Sequence, residues 1–148
     1  MAARAQGCTW FQKELSIGSR KRGCHNITDE IKKGLPEVNQ VQIGLLNINI
    51  KHTSASLVLN EVWDSDVRVD MEMMLNKLVP EGLNYKHSCE GPDDMPAHVK
   101  AALLGSSVTI PITQGQLNLG TWQGVWLCEH RDRASSRHLV CTIQGATK

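Results

Sequence analysis

The sequence predicts an α+β domain built on antiparallel sheet, and three observations carry that expectation. Runs of alternating apolar residues outnumber the helical patterns, strands and helices do not alternate one for one, and Gly or Pro punctuates most of the connections. The chain has 148 residues, 41% hydrophobic and 21% charged. That suits one globular domain spanning 1–148, with residues 1–8 as a flexible N-terminal extension. It is too short for a (β/α)₈ barrel, which needs about 250 residues.

The elements follow in order. Trp10 to Ile17 and Cys24 to Ile27 are expected as strands of a hairpin, with Gly18 to Gly23 and its Arg20-Lys21-Arg22 cluster as the tip. Thr28 to Lys33 reads as a short helix, capped by Asn26 or Thr28, acidic in its first turn and stopped by Gly34 and Pro36. Gln40 to Ile50 is a long strand whose apolar parity switches at Leu45-Leu46, which implies a bulge or burial on both faces. Ser56 to Leu59 is a shorter strand.

Asp66 to Val79 is the clearest helix. Val67, Met71, Met74, Leu75 and Leu78 share one face, Asp64 is placed to cap it, and Pro80 ends it. A second helix runs from about Pro96 to Leu104, with Asp93-Asp94 before it and Gly105 after it. Ser107 to Ile112, Trp122 to Glu129 and Arg137 to Ile143 close the chain as strands, with Pro111 marking an edge or an end. The expected order is ββαββααβββ.

Charge and composition narrow the function. Lys plus Arg number 16 against 15 Asp plus Glu. A near-neutral balance argues against a general nucleic-acid or membrane-surface binder. No run approaches the ~20 apolar residues of a membrane span, and Met1 to Gly7, with no apolar run after Arg4, is not expected to act as a secretory signal. The five cysteines are odd in number and form no Cys-x-x-Cys pair, so reduced thiols and a cytoplasmic location are expected. No phosphate-loop or dinucleotide-binding glycine pattern is present.

Rare functional residue types gather in four places. His52-Thr53-Ser54 lies at a turn between strands. Asn60-Glu61 leads to Asp64 and Asp66. His87-Ser88-Cys89-Glu90-Gly91-Pro92-Asp93-Asp94-Met95-Pro96-Ala97-His98 packs two imidazoles and three carboxylates into one segment. Gly120-Thr121-Trp122-Gln123-Gly124 precedes Glu129-His130-Arg131. Imidazole nitrogens with carboxylate oxygens suit a divalent metal, and three His with an open position is a catalytic rather than a closed structural stoichiometry. His52, His87 and His98 are therefore the candidate ligands, for Zn, Mn, Fe or Mg. The plain alternatives are a helix-packed His98, an exposed His87 and acidic residues that only complement a helix dipole. Thr53 and Ser54 could cradle a phosphate, and the glycines around Trp122 could admit a ligand to the backbone.

The runs "HTSA", "HSCEGPDDMPAHVK" and "LGTWQG" closely resemble the YjbQ-like family, over about Phe11 to Gly145. Val62 and Ser65 stand where many members carry Asn and Pro. The resemblance implies a small antiparallel β-sandwich of about seven strands with helices to one side, assembled as a homotrimer. It implies a metal pocket at His52, His87 and His98, with Glu90, Asp94 and Glu129 as acid–base or orienting residues. Trp122 and Gln123 are implied beside it, and Thr53, Ser54 and Arg131 are the candidate contacts to a small anionic or phosphorylated substrate. The family label implies thiamine-phosphate synthesis, a transferase reaction. A metal-dependent hydrolase, or a metal- or anion-binding protein without turnover, is the alternative.

Overall fold

The computed structural model describes residues 2–148, of which 2–8 carry no regular structure. The remainder is an α+β fold of two antiparallel sheets, as the sequence predicts. Strands β1 (Thr9–Ile17), β8 (Arg137–Thr147), β3 (Val41–Ile50), β5 (Ser107–Thr113) and the two-residue β6 (Gln116–Leu117) form one sheet in that spatial order. Strands β2 (Gly23–Asn26), β7 (Gln123–Glu129) and β4 (Ala55–Glu61) form the other.

The sheets face one another across the main core. Leu46, Ile48, Ile110, Leu139 and Ile143 come from the large sheet, and Ala55, Leu57, Val125 and Leu127 from the small one. Each contributes alternate residues, as the two-residue period of a strand requires. The small sheet is covered on its other face too. There Cys24, Cys128 and Trp126 pack against Leu75, Val67 and Met71 of helix α2 (Ser65–Leu78) and Leu104 of α3 (Asp94–Leu104). That double coverage explains why β7 is buried from Gly124 to Glu129. Helix α1 (Thr28–Gly34) closes one end.

Asp64 caps α2, its side chain accepting from the Asp66 N–H at 2.9 Å. The inward stripe is narrower than the sequence pattern suggests: Met74 and Leu78 are 43% and 68% exposed. Pro96 fits the first turn of α3, where its missing N–H would have no helical partner anyway. Gly105 ends that helix at φ +101°, a conformation that favours glycine.

Two expectations are corrected. The first strands do not form a hairpin, because β1 pairs with β8 and β2 with β7. Their apolar residues belong to different cores, so the chain between them crosses from one sheet to the other. Arg22 anchors that crossing through Glu72, Glu81 and Asn76. The β3 irregularity falls between Val41 and Ile43, not at Leu45-Leu46. After it, Leu46, Ile48 and Ile50 face the core while Leu45 is 46% exposed. Asn26, expected as a cap of α1, instead accepts from the Thr28 N–H two residues on, and Ile27 occupies the cap position.

Candidate functional site

The start of α3 gathers most of the candidate chemistry. Asp94 opens the helix and is 3% exposed. Its Oδ2 lies 2.6 Å from His87 Nε2 and 3.3 Å from His98 Nε2, one turn further along α3. The two imidazole centroids are 5.5 Å apart. Among the described residues, His87, Asp94 and His98 are the one group of three such side chains whose ligand atoms all lie within 4.8 Å of one another.

Arg131 fixes the geometry from behind. Its Nε donates to Asp93 Oδ2 at 2.9 Å, one terminal nitrogen pairs with Asp94 Oδ1, and the other donates to the Glu90 carbonyl at 2.8 Å. Burial alone would raise the Asp94 pKa, but the His87 hydrogen bond and the charges of His98 and Arg131 hold it below the usual carboxylate range. Asp93 is lowered as well: burial opposes, and the Asp132 N–H with Arg131 outweighs it. Asp93 stands at the cap position of α3 but makes no side-chain capping bond; its Oδ2 accepts from Arg131 and from the Asp132 N–H.

The tautomer of His98 follows from its neighbours. Nδ1 lies 2.8 Å from the Thr53 carbonyl, an oxygen that can only accept, so Nδ1 carries the proton. In a neutral ring Nε2 turns a lone pair toward Asp94 Oδ2, and in a protonated ring the two form an ion pair. The neutral form suits a cation between them, and an imidazole oriented by a carbonyl is the usual support of a metal ligand.

His52 is not brought into this group. Its Nε2 accepts from the His138 N–H at 2.8 Å, its ring stacks on His138 with centroids 5.7 Å apart, and Nδ1 sits 3.3 Å from the Arg137 guanidinium. Burial first, then the Arg137 and His138 charges, lower its pKa, so the ring is neutral at pH 7. His52 does share an open cavity of about 560 Å³ with Thr53, His98, Ala102 and Ser106. Thr53 and His98 thus connect the carboxylate cluster to the cavity that His52 walls.

The other predicted residues are distributed differently. Glu129 is fully buried and clamped by Arg137, whose Nε donates to Oε1 at 2.7 Å and whose Nη2 pairs with Oε2. Arg137 also donates to the Ser54 hydroxyl at 3.0 Å, so that hydroxyl is engaged with the protein. The Glu90 side chain is exposed and only its carbonyl is tied down. Trp122 and Gln123 stand at the Glu61 end of β7, whereas Glu129 stands at the Ala55 end. Those ends of a seven-residue strand are roughly 20 Å apart. Gly124 leaves room for the Thr28 hydroxyl and Val62 of its own chain, not for a ligand.

Several polar residues take buried positions that the sequence reading did not assign them. Lys100 is fully buried, with its Nζ donating to Asn76 Oδ1 at 2.8 Å, and burial lowers its pKa. His130 is buried beside Ser56, 2.9 Å from its hydroxyl, with Nδ1 unpartnered. Burial, then the charges of Lys100 and Arg137, lower His130 to about 3. Arg137 was readable: its inward parity with Leu139, Cys141 and Ile143 puts a guanidinium at a core position, where a charge needs a partner.

Two antiparallel sheets, the smaller one covered by helices, define an α+β protein. A sequence model of the "UPF0047 protein YjbQ-like" family matches residues 13–146, and the chain belongs to that family. It is 48% identical to the YjbQ protein of Escherichia coli O157:H7, over 92% of this chain and 99% of that one. It is 43% identical to a Synechocystis relative, over 90% and 91%. A solved YjbQ/UPF0047 structure from Clostridium acetobutylicum is 37% identical, with TM-score 0.76 over 86% and 97% of the two chains. A Sulfolobus solfataricus structure shares the fold, with TM-score 0.84 at 23% identity over 94% and 99%.

Proposed function

We propose that this chain is a metal-dependent enzyme acting on a small anionic, phosphorylated substrate, with a divalent ion on His87, Asp94 and His98. The observation that carries the reading is the grouping of His87, Asp94 and His98, whose ligand atoms lie within 4.8 Å of one another, with His98 oriented by the Thr53 carbonyl. Two imidazoles and a carboxylate suit Zn, Mn or Fe and leave coordination positions open. Such an ion supplies charge to a phosphate oxygen or acidifies a water.

The protein's own residues would do the rest. Thr53 holds His98 in register, and Arg131 holds Asp94. The cavity walled by His52, Thr53 and Ser106 would take the body of the substrate. Glu90 is the acid–base candidate, since it shares the His87 loop and its carboxylate is exposed, whereas Glu129 is sealed in its ion pair. Thiamine-phosphate synthesis, which the resemblance implies, is one reaction to assay, and phosphate-ester hydrolysis is the other.

A homotrimer in the cytoplasm belongs to the same proposal. One row of the outer face of the large sheet joins Trp10, Gln144, Leu45 and Pro111 in register, and the next joins Gln12, Thr142, Asn47 and Thr109. An uncharged row with exposed Trp10 and Leu45 favours self-association. Among the described residues, no helix is long and apolar enough to cross a membrane.

The test is metal content per chain by elemental analysis, on untagged protein purified without chelator. About one ion per chain, lost in His98→Ala, is expected, and turnover assays on phosphorylated metabolites then follow. Absence of uptake by the wild type after incubation with Zn²⁺ or Mn²⁺ would sink the reading.

A further inference from the structure

We propose that Cys24 and Cys128 form a thiol–disulfide couple, which a peroxide converts to a cross-strand disulfide and a dithiol restores. The two sulfurs lie 3.3 Å apart, both residues are buried, and they stand directly opposite in the β2–β7 register. Among the described residues Cys8 and Cys89 are exposed, and Cys141 is buried in the other sheet.

The register decides whether a bond can close. The Ile27 N–H donates to the Val125 carbonyl at 2.9 Å, which marks those two residues as a hydrogen-bonded pair of the ladder. Such pairs alternate in an antiparallel sheet, so His25 and Leu127 form the next one. Cys24 and Cys128 therefore occupy a non-hydrogen-bonded pair, where facing Cα atoms come closest, about 4.5 Å. That spacing falls at the short end of what a disulfide spans.

The chemistry divides between the two sulfurs. Cys24 lies on the edge strand of its sheet and is 8% exposed, whereas Cys128 lies on the central strand and is fully buried. The hydrogen bond to Cys24, then burial, holds the Cys128 proton on far above the ordinary thiol range. Cys24 is thus the attacking sulfur. Its thiolate displaces hydroxide from hydrogen peroxide, breaking the O–O bond and leaving a sulfenic acid. The Cys128 sulfur then attacks the Cys24 sulfur, the S–O bond breaks, and the oxygen departs as water with the Cys128 proton. Two thiols and one peroxide give one disulfide and two waters.

The bridge would staple the edge strand β2 to the centre of its sheet, under Leu75 and Trp126. Arg22 precedes β2 and pairs with Glu72, Glu81 and Asp132, so the oxidised form would lock the corner where β2, α2 and the β7–β8 connection meet.

The experiment uses the folded full chain carrying Cys8→Ser and Cys89→Ser, so that exposed thiols do not compete. The protein is titrated with hydrogen peroxide and followed by intact mass, peptide mapping and thermal melting. The expected result is loss of two hydrogens, a peptide linking residues 24 and 128, and a melting temperature raised by several degrees. A dithiol should return all three to their starting values. Adding Cys128→Ser should stop the reaction at a Cys24 sulfenic acid or its adducts. No reaction in the folded protein, oxidation of Cys24 beyond sulfenic acid without a cross-link, or a cross-link that appears only in urea would each overturn the proposal.

Discussion

Two arginines leave the same β7–β8 connection and clamp carboxylates in opposite ways. Arg137 meets Glu129 inside the molecule, and its other donors reach Ser54 and His52 Nδ1. Arg131 meets Asp93 and Asp94 at the start of α3, and the Asp94 carboxylate goes on to face two imidazoles, one of them 2.6 Å away. The first arrangement is closed: every charge has its partner and no water reaches Glu129. The second is open on the histidine side, where His87 is exposed. Similar ion pairs can thus serve a fold or a site, and what separates them is whether the carboxylate has a neighbour it does not satisfy.

The largest effect should come from breaking the closed pair. Arg137→Ala leaves Glu129 buried without a counter-charge, which costs about 3–5 kcal/mol. Chemical denaturation should show that loss, with the variant unfolded or barely folded at ambient temperature. A loss under about 1 kcal/mol would mean that water reaches Glu129, and the contrast between the pairs would fail.

His130 sharpens the comparison through pH. Its folded pKa is lowered to about 3, against 6.5 for the free group. A lowered value means that the unfolded chain takes up a proton first as pH falls below 6.5. Stability from this group is therefore complete above pH 6.5 and declines between 6.5 and about 3, by up to about 1.4 kcal/mol per pH unit. His130→Gln, which does not titrate, should flatten that limb in denaturation curves at stepped pH. An unchanged slope would show that His130 is solvated in the folded protein.

Arg131→Ala should act at the open pair. If Arg131 orients Asp94 for an ion, metal affinity should fall about 10- to 100-fold, the range of losses for partners behind a ligand. Calorimetric titration with Zn²⁺ checks this, and circular dichroism confirms that the fold survives. Equal affinity in variant and wild type would leave Arg131 as a helix-start anchor only.

Legibility divided along the same lines. Helix α2 was readable because its cap, its stripe and its stop are all local, and Asp64 and Pro80 did their expected jobs. The grouping of His87 with His98 was readable because one short segment carries both, and a helix turn brings Asp94 under His98. What failed was non-local. The pairing of β1 with β8 and of β2 with β7 joins the two ends of the chain, and no alternation of residues encodes a partner. His52 was expected beside His87 and His98 from residue type alone, and its placement, with Nε2 accepting from the His138 N–H 86 residues away, is likewise non-local. Arg137 and Lys100 carried a usable signal, each being a cation at a position of apolar periodicity.

The smallest effect is expected at Trp122, and it tests where the site ends. Trp122 is 53% exposed and meets Trp63, itself 77% exposed, edge to face at 5.4 Å. Truncating so exposed a ring should change stability by no more than about 0.5 kcal/mol. Within one chain it stands a strand's length from Glu129, so Trp122→Ala should leave metal binding and turnover alone. Loss of turnover with metal content and assembly intact would have one geometric meaning. The Trp122 end of one chain would then complete the His87–Asp94–His98 end of another, and the contrast between a closed and an open pair would become one between a chain and its neighbour.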